Sequence, residues 1–219
     1  MLKIRSFNFL YLVLSFILLS LFVNLGLLVN TDNFLTISLD ALIEKNSLTT
    51  NVILAITSMG DVVTMVILAI ILTIIRRTRK LGMIFLISIV ILSITIMYMK
   101  PIIGKESPSS IFSQDFVLPE NYTIENDSMM PISQPYSFPS NHMARATSFA
   151  FLIFYLFWDK TRSVGLIWLF PMLIGISRIY LHQHYFTDIV GGFLYGFIIT
   201  LLLSKLMKLN EPFTMSRFK

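Results

Sequence analysis

Six long apolar stretches dictate where this chain can fold. They run Phe7–Val29, Val52–Ile75, Leu81–Met99, Asn141–Trp158, Ser163–Leu181 and Ile189–Leu206. A helix needs about 20 apolar residues to cross the hydrocarbon core of a bilayer, and all six come close. Their charges are few: Asp61 in the second, Arg145 in the short fourth, Arg178 near the end of the fifth and Lys205 at the edge of the sixth. Overall 55% of residues are hydrophobic and 13% charged, against roughly 25% charged in an ordinary soluble domain. So little charge cannot cover a soluble surface, which excludes a cytosolic globular enzyme, a disordered tail and a fibrous repeat. The expectation is an all-α, polytopic integral membrane protein with six transmembrane helices, forming one domain over residues 1–219. Lys3 and Arg5 precede the first stretch as in a signal peptide. That stretch is too long for one and has no small-x-small site before Asn30, so it reads as an anchor.

The basic residues set the orientation. The N-terminus, residues 76–80, residues 159–162 and the tail after Leu206 (with Lys205 at its edge) carry Lys3, Arg5, Arg76, Arg77, Arg79, Lys80, Lys160, Arg162, Lys205, Lys208, Arg217 and Lys219. The opposite connections carry Lys45, Lys100 and Lys105. Twelve of the 17 basic residues against three is a strong positive-inside bias, so both termini are expected in the cytoplasm. An even number of spans agrees with that. The net charge of +5 therefore belongs to membrane boundaries and points to no nucleic-acid partner. There is no Cys, hence no disulfide, thiolate nucleophile or Cys-based metal site.

The outward loop over residues 100–140 is unusually long. It holds six of the eight prolines, Pro101, Pro108, Pro119, Pro131, Pro135 and Pro139, together with Glu106, Asp115, Glu120, Glu125 and Asp127. Loops of this length are usually functional or disordered. Asn121 and Asn126 begin glycosylation sequons, a weak pattern that carries no meaning in a bacterium.

All three histidines fall on the outer edge in this topology: His142 opens the fourth span, and His182 and His184 lie between the fifth and sixth. Three runs surround them. Lys100 to Pro108 reads K-x6-S-P, Pro139 to His142 reads P-S-N-H, and Ser177 to Asp188 reads S-R-x5-H-x3-D. Together they resemble the signature of the type-2 phosphatidic acid phosphatase and vanadium haloperoxidase superfamily, K-x6-R-P, P-S-G-H and S-R-x5-H-x3-D. The third run matches completely. The second has Asn141 where the family has Gly, and the first has Ser107 where the family has Arg. Order, spacing and membrane side agree over residues 50–206, and the six-span layout is similar to that of the membrane lipid phosphatases.

A phosphate ester needs a nucleophile, a proton donor for the leaving oxygen and positive charge around the equatorial oxygens. His184 and Asp188, four apart, share a face of a helical turn. A carboxylate on one imidazole nitrogen fixes the tautomer and leaves the other for attack. His184 is therefore the expected nucleophile, forming a phosphohistidine, and Asp188 its orienter, as the resemblance also implies; Asp188 also suits a cap of the last helix. The resemblance implies that His142 is the general acid. Ser140 is expected to cap the fourth helix, turning the N–H groups of Asn141 and His142 toward an anion. Arg178 is the expected bidentate phosphate clamp and Lys100 a second cation. Ser107 supplies a hydroxyl in place of a charge. Losing one such donor costs about 3 kcal/mol of transition-state stabilisation, and Arg145 or Lys105 is expected to replace it. Arg145 is preferred because an arginine inside an apolar span demands an anionic partner. His182 reads as interfacial, Asp61 as an intramembrane acid paired within the bundle, and Gly192 and Gly196 as a close-packing motif.

No metal and no cofactor are expected. The leading reading is a lipid phosphatase acting on a phosphomonoester or pyrophosphate of a lipid: polyprenyl pyrophosphate, phosphatidate or phosphatidylglycerol phosphate. Its partners are that lipid phosphate and the surrounding membrane lipids, and its place is the bacterial cytoplasmic membrane with the site facing outward. Two alternatives keep the scaffold: a phosphotransferase using another acceptor, and a non-catalytic lipid-phosphate binding or transport protein.

Overall fold

Because a bilayer offers no water to backbone N–H and C=O groups, a chain this apolar satisfies them within helices. The computed structural model describes residues 6–110, 135–159 and 161–209, and every regular element among them is helical. In order these are α1 (Ser6–Asn24), α2 (Val29–Leu42), α3 (Ser47–Ser58), α4 (Val62–Ile74), α5 (Arg79–Ile103), α6 (Asn141–Phe157), α7 (Leu169–Tyr180) and α8 (Phe186–Leu206), with a 3-10 segment Arg162–Trp168 leading into α7. The two sequons and most acidic residues of the long loop lie outside the described residues, as do the outermost basic residues of both termini and Lys160.

Three helical segments among the described residues are long and apolar enough to cross a membrane: Arg79–Ile103, Ser163–Tyr180 and Phe186–Leu206. Two bent pairs reach the same length together, giving up to five spans. Here the structure differs from the straight segments expected. The first apolar stretch does not run to Val29: α1 stops at Asn24, Gly26 turns with φ of 70°, and α2 leaves at 93°. The second breaks at Gly60 and Asp61, with α3 and α4 bent by 49°; α3 begins earlier than expected, at Ser47, because Asn46 caps it by accepting from the Thr49 N–H at 2.8 Å. The fourth forms α6, whose 17 residues measure about 26 Å at 1.5 Å per residue.

Outward faces are apolar, as lipid requires. Val63, Ile67 and Ile74 of α4 and Val90, Ile94 and Tyr98 of α5 are all exposed. The interior holds Met65, Ile84, Phe85, Ile89, Leu152, Ile174 and Leu201 between α4 and α8. Lipid tails are as apolar as leucine, so burial alone gives spans little reason to associate. Close packing and interhelical hydrogen bonds supply it. The α6–α8 seam has both. A Cβ at Gly192 would lie 2.5 Å from the Ser140 carbonyl oxygen, and one at Gly196 would collide with the Ala144 backbone. Thr200 Oγ1 lies 2.7 Å from the Gly196 carbonyl oxygen and 2.6 Å from Ser148 Oγ, within hydrogen-bond distance of both. The expected close-packing role of both glycines is thus met. Gly196→Val forces α6 and α8 apart, and overpacking of this kind costs about 3 kcal/mol; thermal unfolding in detergent should record a lower midpoint, while Gly165→Ala, with nothing within 4 Å of its added Cβ, should leave it unchanged.

Candidate active site

The S-R-x5-H-x3-D run is a turn followed by a helix, and hydrogen bonds explain its spacing. α7 ends after Tyr180, and the Arg178 carbonyl accepts from the N–H groups of Gln183 (3.0 Å) and His184 (3.3 Å). His182 takes φ of 52° to make this reversal. α8 then opens with Asp188 in its first turn. Asp188 Oδ2 accepts from the Tyr185 N–H at 2.8 Å and lies 3.5 Å from His184 Nδ1. Asp188 therefore caps its own helix and faces the imidazole, two roles at one position. The His184 contact is long for a hydrogen bond, a common state of catalytic pairs before substrate tightens them. With Nδ1 turned to the carboxylate, Nε2 is the opposite edge of the ring.

His142 stands in the first turn of α6, fully buried. Ser140 is the N-cap, accepting from the Met143 N–H at 3.4 Å, and its own N–H donates to the Asp188 carbonyl at 3.2 Å. That bond ties the start of α6 to the start of α8. The two ends of the long loop are joined as well: Ser107 N–H donates to the Pro135 carbonyl (3.0 Å), Ser137 N–H to the Lys105 carbonyl (2.8 Å), and Glu106 and Tyr136 form an antiparallel bridge. The K-x6-S-P and P-S-N-H runs thus meet beside α8.

His142 Nε2 is 2.8 Å from Asp61 Oδ1. Asp61 stands at the N-cap position of α4, yet its side chain makes no capping bond; the imidazole takes it instead. From the sequence, Asp61 is an intramembrane acid outside the catalytic set, either functional or paired with Arg145 or a neighbouring Ser or Thr; the structure sets it against His142, the expected general acid. Arg145, one turn beyond His142, donates from Nε (3.2 Å) and Nη2 (3.1 Å) to the Gly60 carbonyl, an acceptor released by the helix break. A side chain on Gly60 would press within 3.2 Å of the His142 ring. Arg145 and Gly60 together hold the Asp61–His142 pair.

Arg178 is fully buried and donates from Nη1 to Thr57 Oγ1 of α3 at 3.3 Å. Lys100 is buried in the last turn of α5, which ends where Gly104 adopts φ of 71° and donates to the Lys100 carbonyl at 2.9 Å. Asn141 is buried beside His142. Ser107 bonds Ser109 through their hydroxyls at 2.8 Å. Lys105 reaches Asp188 Oδ1 at 2.6 Å, on the carboxylate oxygen away from His184, and also Asp32 Oδ2 at 2.6 Å. Asp32 had no signal in the sequence beyond being an acid beside an apolar stretch. Burial, and after it the carboxylates of Asp188, Asp32 and Glu106, push the Tyr185 phenol up to about 12, so it stays neutral.

The bundle is that of a multi-pass membrane protein, with two buried histidines, each facing a carboxylate, at joined helix starts. Residues 81–212 match the family model of the PAP2 superfamily, and the chain belongs to that family. The crystal structure of the first transmembrane PAP2 type phosphatidylglycerolphosphate phosphatase from Bacillus subtilis shares the fold, with a TM-score of 0.69 and 21% identity over 98% of this chain and 100% of that one. Aquifex aeolicus LpxE shares it with a TM-score of 0.55 and 21% identity, over 80% of this chain and 95% of that one. Mouse sphingosine-1-phosphate phosphatase 1 is 34% identical over 83 residues, 36% of this chain and 19% of that relative's length.

Proposed function

We propose that this protein is a metal-independent lipid phosphatase working through a phosphohistidine at the outer membrane face. The observation that carries the reading is the arrangement of two imidazoles, each against its own carboxylate, at the hydrogen-bonded starts of α6 and α8. His184 Nε2 attacks phosphorus and the ester P–O bond breaks. The leaving alkoxide takes a proton from His142. Water then attacks the phosphohistidine, its proton returns to His142, the P–N bond breaks and inorganic phosphate leaves. With a pyrophosphate substrate the leaving group is the lipid monophosphate. Arg178, Lys100, Arg145 and the N–H groups of Asn141 and His142 surround the non-bridging oxygens, with Ser140 holding the helix start that aims those N–H groups.

Counting α6 as a short crossing beside the three long helical segments and two bent pairs gives six spans. The twelve-to-three distribution of basic residues then puts both termini in the cytoplasm and the site outside. The substrate class follows from a site at the bilayer edge: polyprenyl pyrophosphate, phosphatidate or phosphatidylglycerol phosphate. Two of the similar proteins are named as phosphatases, the phosphatidylglycerolphosphate phosphatase and the sphingosine-1-phosphate phosphatase, which supports the class without choosing among the lipids.

The test is phosphate release by purified protein from those three lipids, with EDTA present throughout. Release should persist in EDTA and fall with vanadate, which mimics a five-coordinate phosphoryl group. Binding without release from every lipid would instead favour the non-catalytic lipid-phosphate binder, the reading that Ser107 supports.

A further inference from the structure

We propose that Lys105 and Asp32 are positioning residues for the His184–Asp188 pair, and that they make turnover depend on helix α2. The inference rests on the phosphatase reading above. It starts from the donor count at Lys105. An ammonium has three protons, and Lys105 Nζ lies within hydrogen-bond distance of three acceptors: Asp32 Oδ2 at 2.6 Å, Asp188 Oδ1 at 2.6 Å and Thr187 Oγ1 at 2.7 Å. It also sits 4.5 Å above the Tyr185 ring. Its hydrogen-bonding capacity is therefore taken by the protein. Of the two cations weighed as replacements for the family Arg at position 107, Lys105 is not a phosphate clamp. Its charge acts on the far side of the catalytic carboxylate.

Asp32 completes the arrangement from a different element. It stands in the first turn of α2, almost fully buried. Its Oδ1 accepts from the Thr187 N–H at 3.0 Å and its Oδ2 from Thr187 Oγ1 at 2.7 Å. The first turn of α8 is thus capped twice, by Asp188 within the helix and by Asp32 from α2. Two buried carboxylates this close repel unless a cation lies between them, and Lys105 is that cation. Their remaining negative charge falls at the positive end of the α8 dipole. The consequence is mechanical. Oδ1 of Asp188 is held by Lys105, so Oδ2 is left to face Tyr185 N–H and His184 Nδ1. Because α2 leaves α1 at 93°, an element at the edge of the bundle helps fix the nucleophile's orienter.

The experiment uses the full chain in detergent micelles with phosphatidate as probe, each variant normalised to its monodisperse gel-filtration peak. Lys105→Met should lower kcat by about 10- to 100-fold, the scale typical of losing a residue that orients a catalytic ligand, with KM nearly constant. In an Asp188→Asn background the same change should cost almost nothing further, because the two act as a unit. Lys105→Arg should recover part of the loss. Asp32→Asn keeps the shape and leaves Lys105 on Asp188; it should lower kcat by about tenfold, and it tests the relay should Lys105→Met fail to fold. A raised KM at constant kcat in Lys105→Met would make Lys105 a clamp and overturn the proposal. So would a full, independent loss in the Asp188→Asn background, or wild-type kcat in either single variant. Where phosphatidate is not turned over, the same variants are measured on phosphatidylglycerol phosphate or polyprenyl pyrophosphate; a wild-type chain that releases phosphate from none of the three overturns the phosphatase reading and the relay together, and an active wild type with an unaffected Lys105→Met overturns the relay alone.

Discussion

Replacing His184 by alanine is expected to abolish phosphate release from every lipid phosphate the wild-type protein accepts. The loss should be at least 1,000-fold, by analogy with catalytic units in which removing the nucleophile costs about a millionfold. On the proposed mechanism His142 is the proton donor, set against Asp61, and the cations bind oxygen rather than attack phosphorus. The same variant should fail to trap a covalent intermediate. Wild-type protein quenched during turnover of labelled substrate should carry a phosphoryl group that survives alkali and is lost in acid, as a P–N bond is. Asp188→Asn should retain some label, since it removes the orienter and leaves the nucleophile. Loss there can approach 10,000-fold where an amide forces the wrong tautomer. Labelled protein persisting in His184→Ala would move the nucleophile elsewhere.

The legibility of this site followed sequence distance. S-R-x5-H-x3-D is a single turn and the first turn of a helix, so its chemistry is local: the Arg178 carbonyl holds His184, and Asp188 reaches back to Tyr185. Ser140 capping α6 was readable for the same reason. Two long-range carboxylate contacts were not. Asp61 lies 81 residues from His142, and Asp32 lies 155 from Thr187. Each occurs as a lone acid in or beside an apolar stretch, and hydropathy gives such a residue a cost without naming its partner. The bends have the same origin. Gly26 and the Gly60–Asp61 pair sit inside runs whose mean hydropathy hides them. A straight helix there would satisfy the Gly60 carbonyl internally and leave Arg145 without the acceptor it now has. Arg145 was expected to seek an anion; its Nε and Nη2 meet the Gly60 carbonyl, one helical turn beyond His142.

His142→Ala should slow hydrolysis in proportion to how badly the leaving group needs a proton. An alkoxide from phosphatidate cannot depart unaided, so the loss there should be about 100- to 10,000-fold, the range general acid catalysis contributes. p-Nitrophenyl phosphate releases a stabilised phenolate and should lose far less. His184→Ala must lower both equally, because attack precedes departure in each. Asp61 enters through this comparison. Its carboxylate meets the His142 ring at Nε2, 2.8 Å away, so on the proposed mechanism Asp61 orients the imidazole that delivers the proton. Asp61→Asn should reproduce the His142→Ala pattern on a smaller scale, about tenfold on phosphatidate and little on the activated ester. The measurement is kcat for both esters across the three variants. An equal loss on both esters in His142→Ala would remove the proton-donor role. The Asp61 pairing would then be a device of the bent α3–α4 span, steadying the break rather than the reaction.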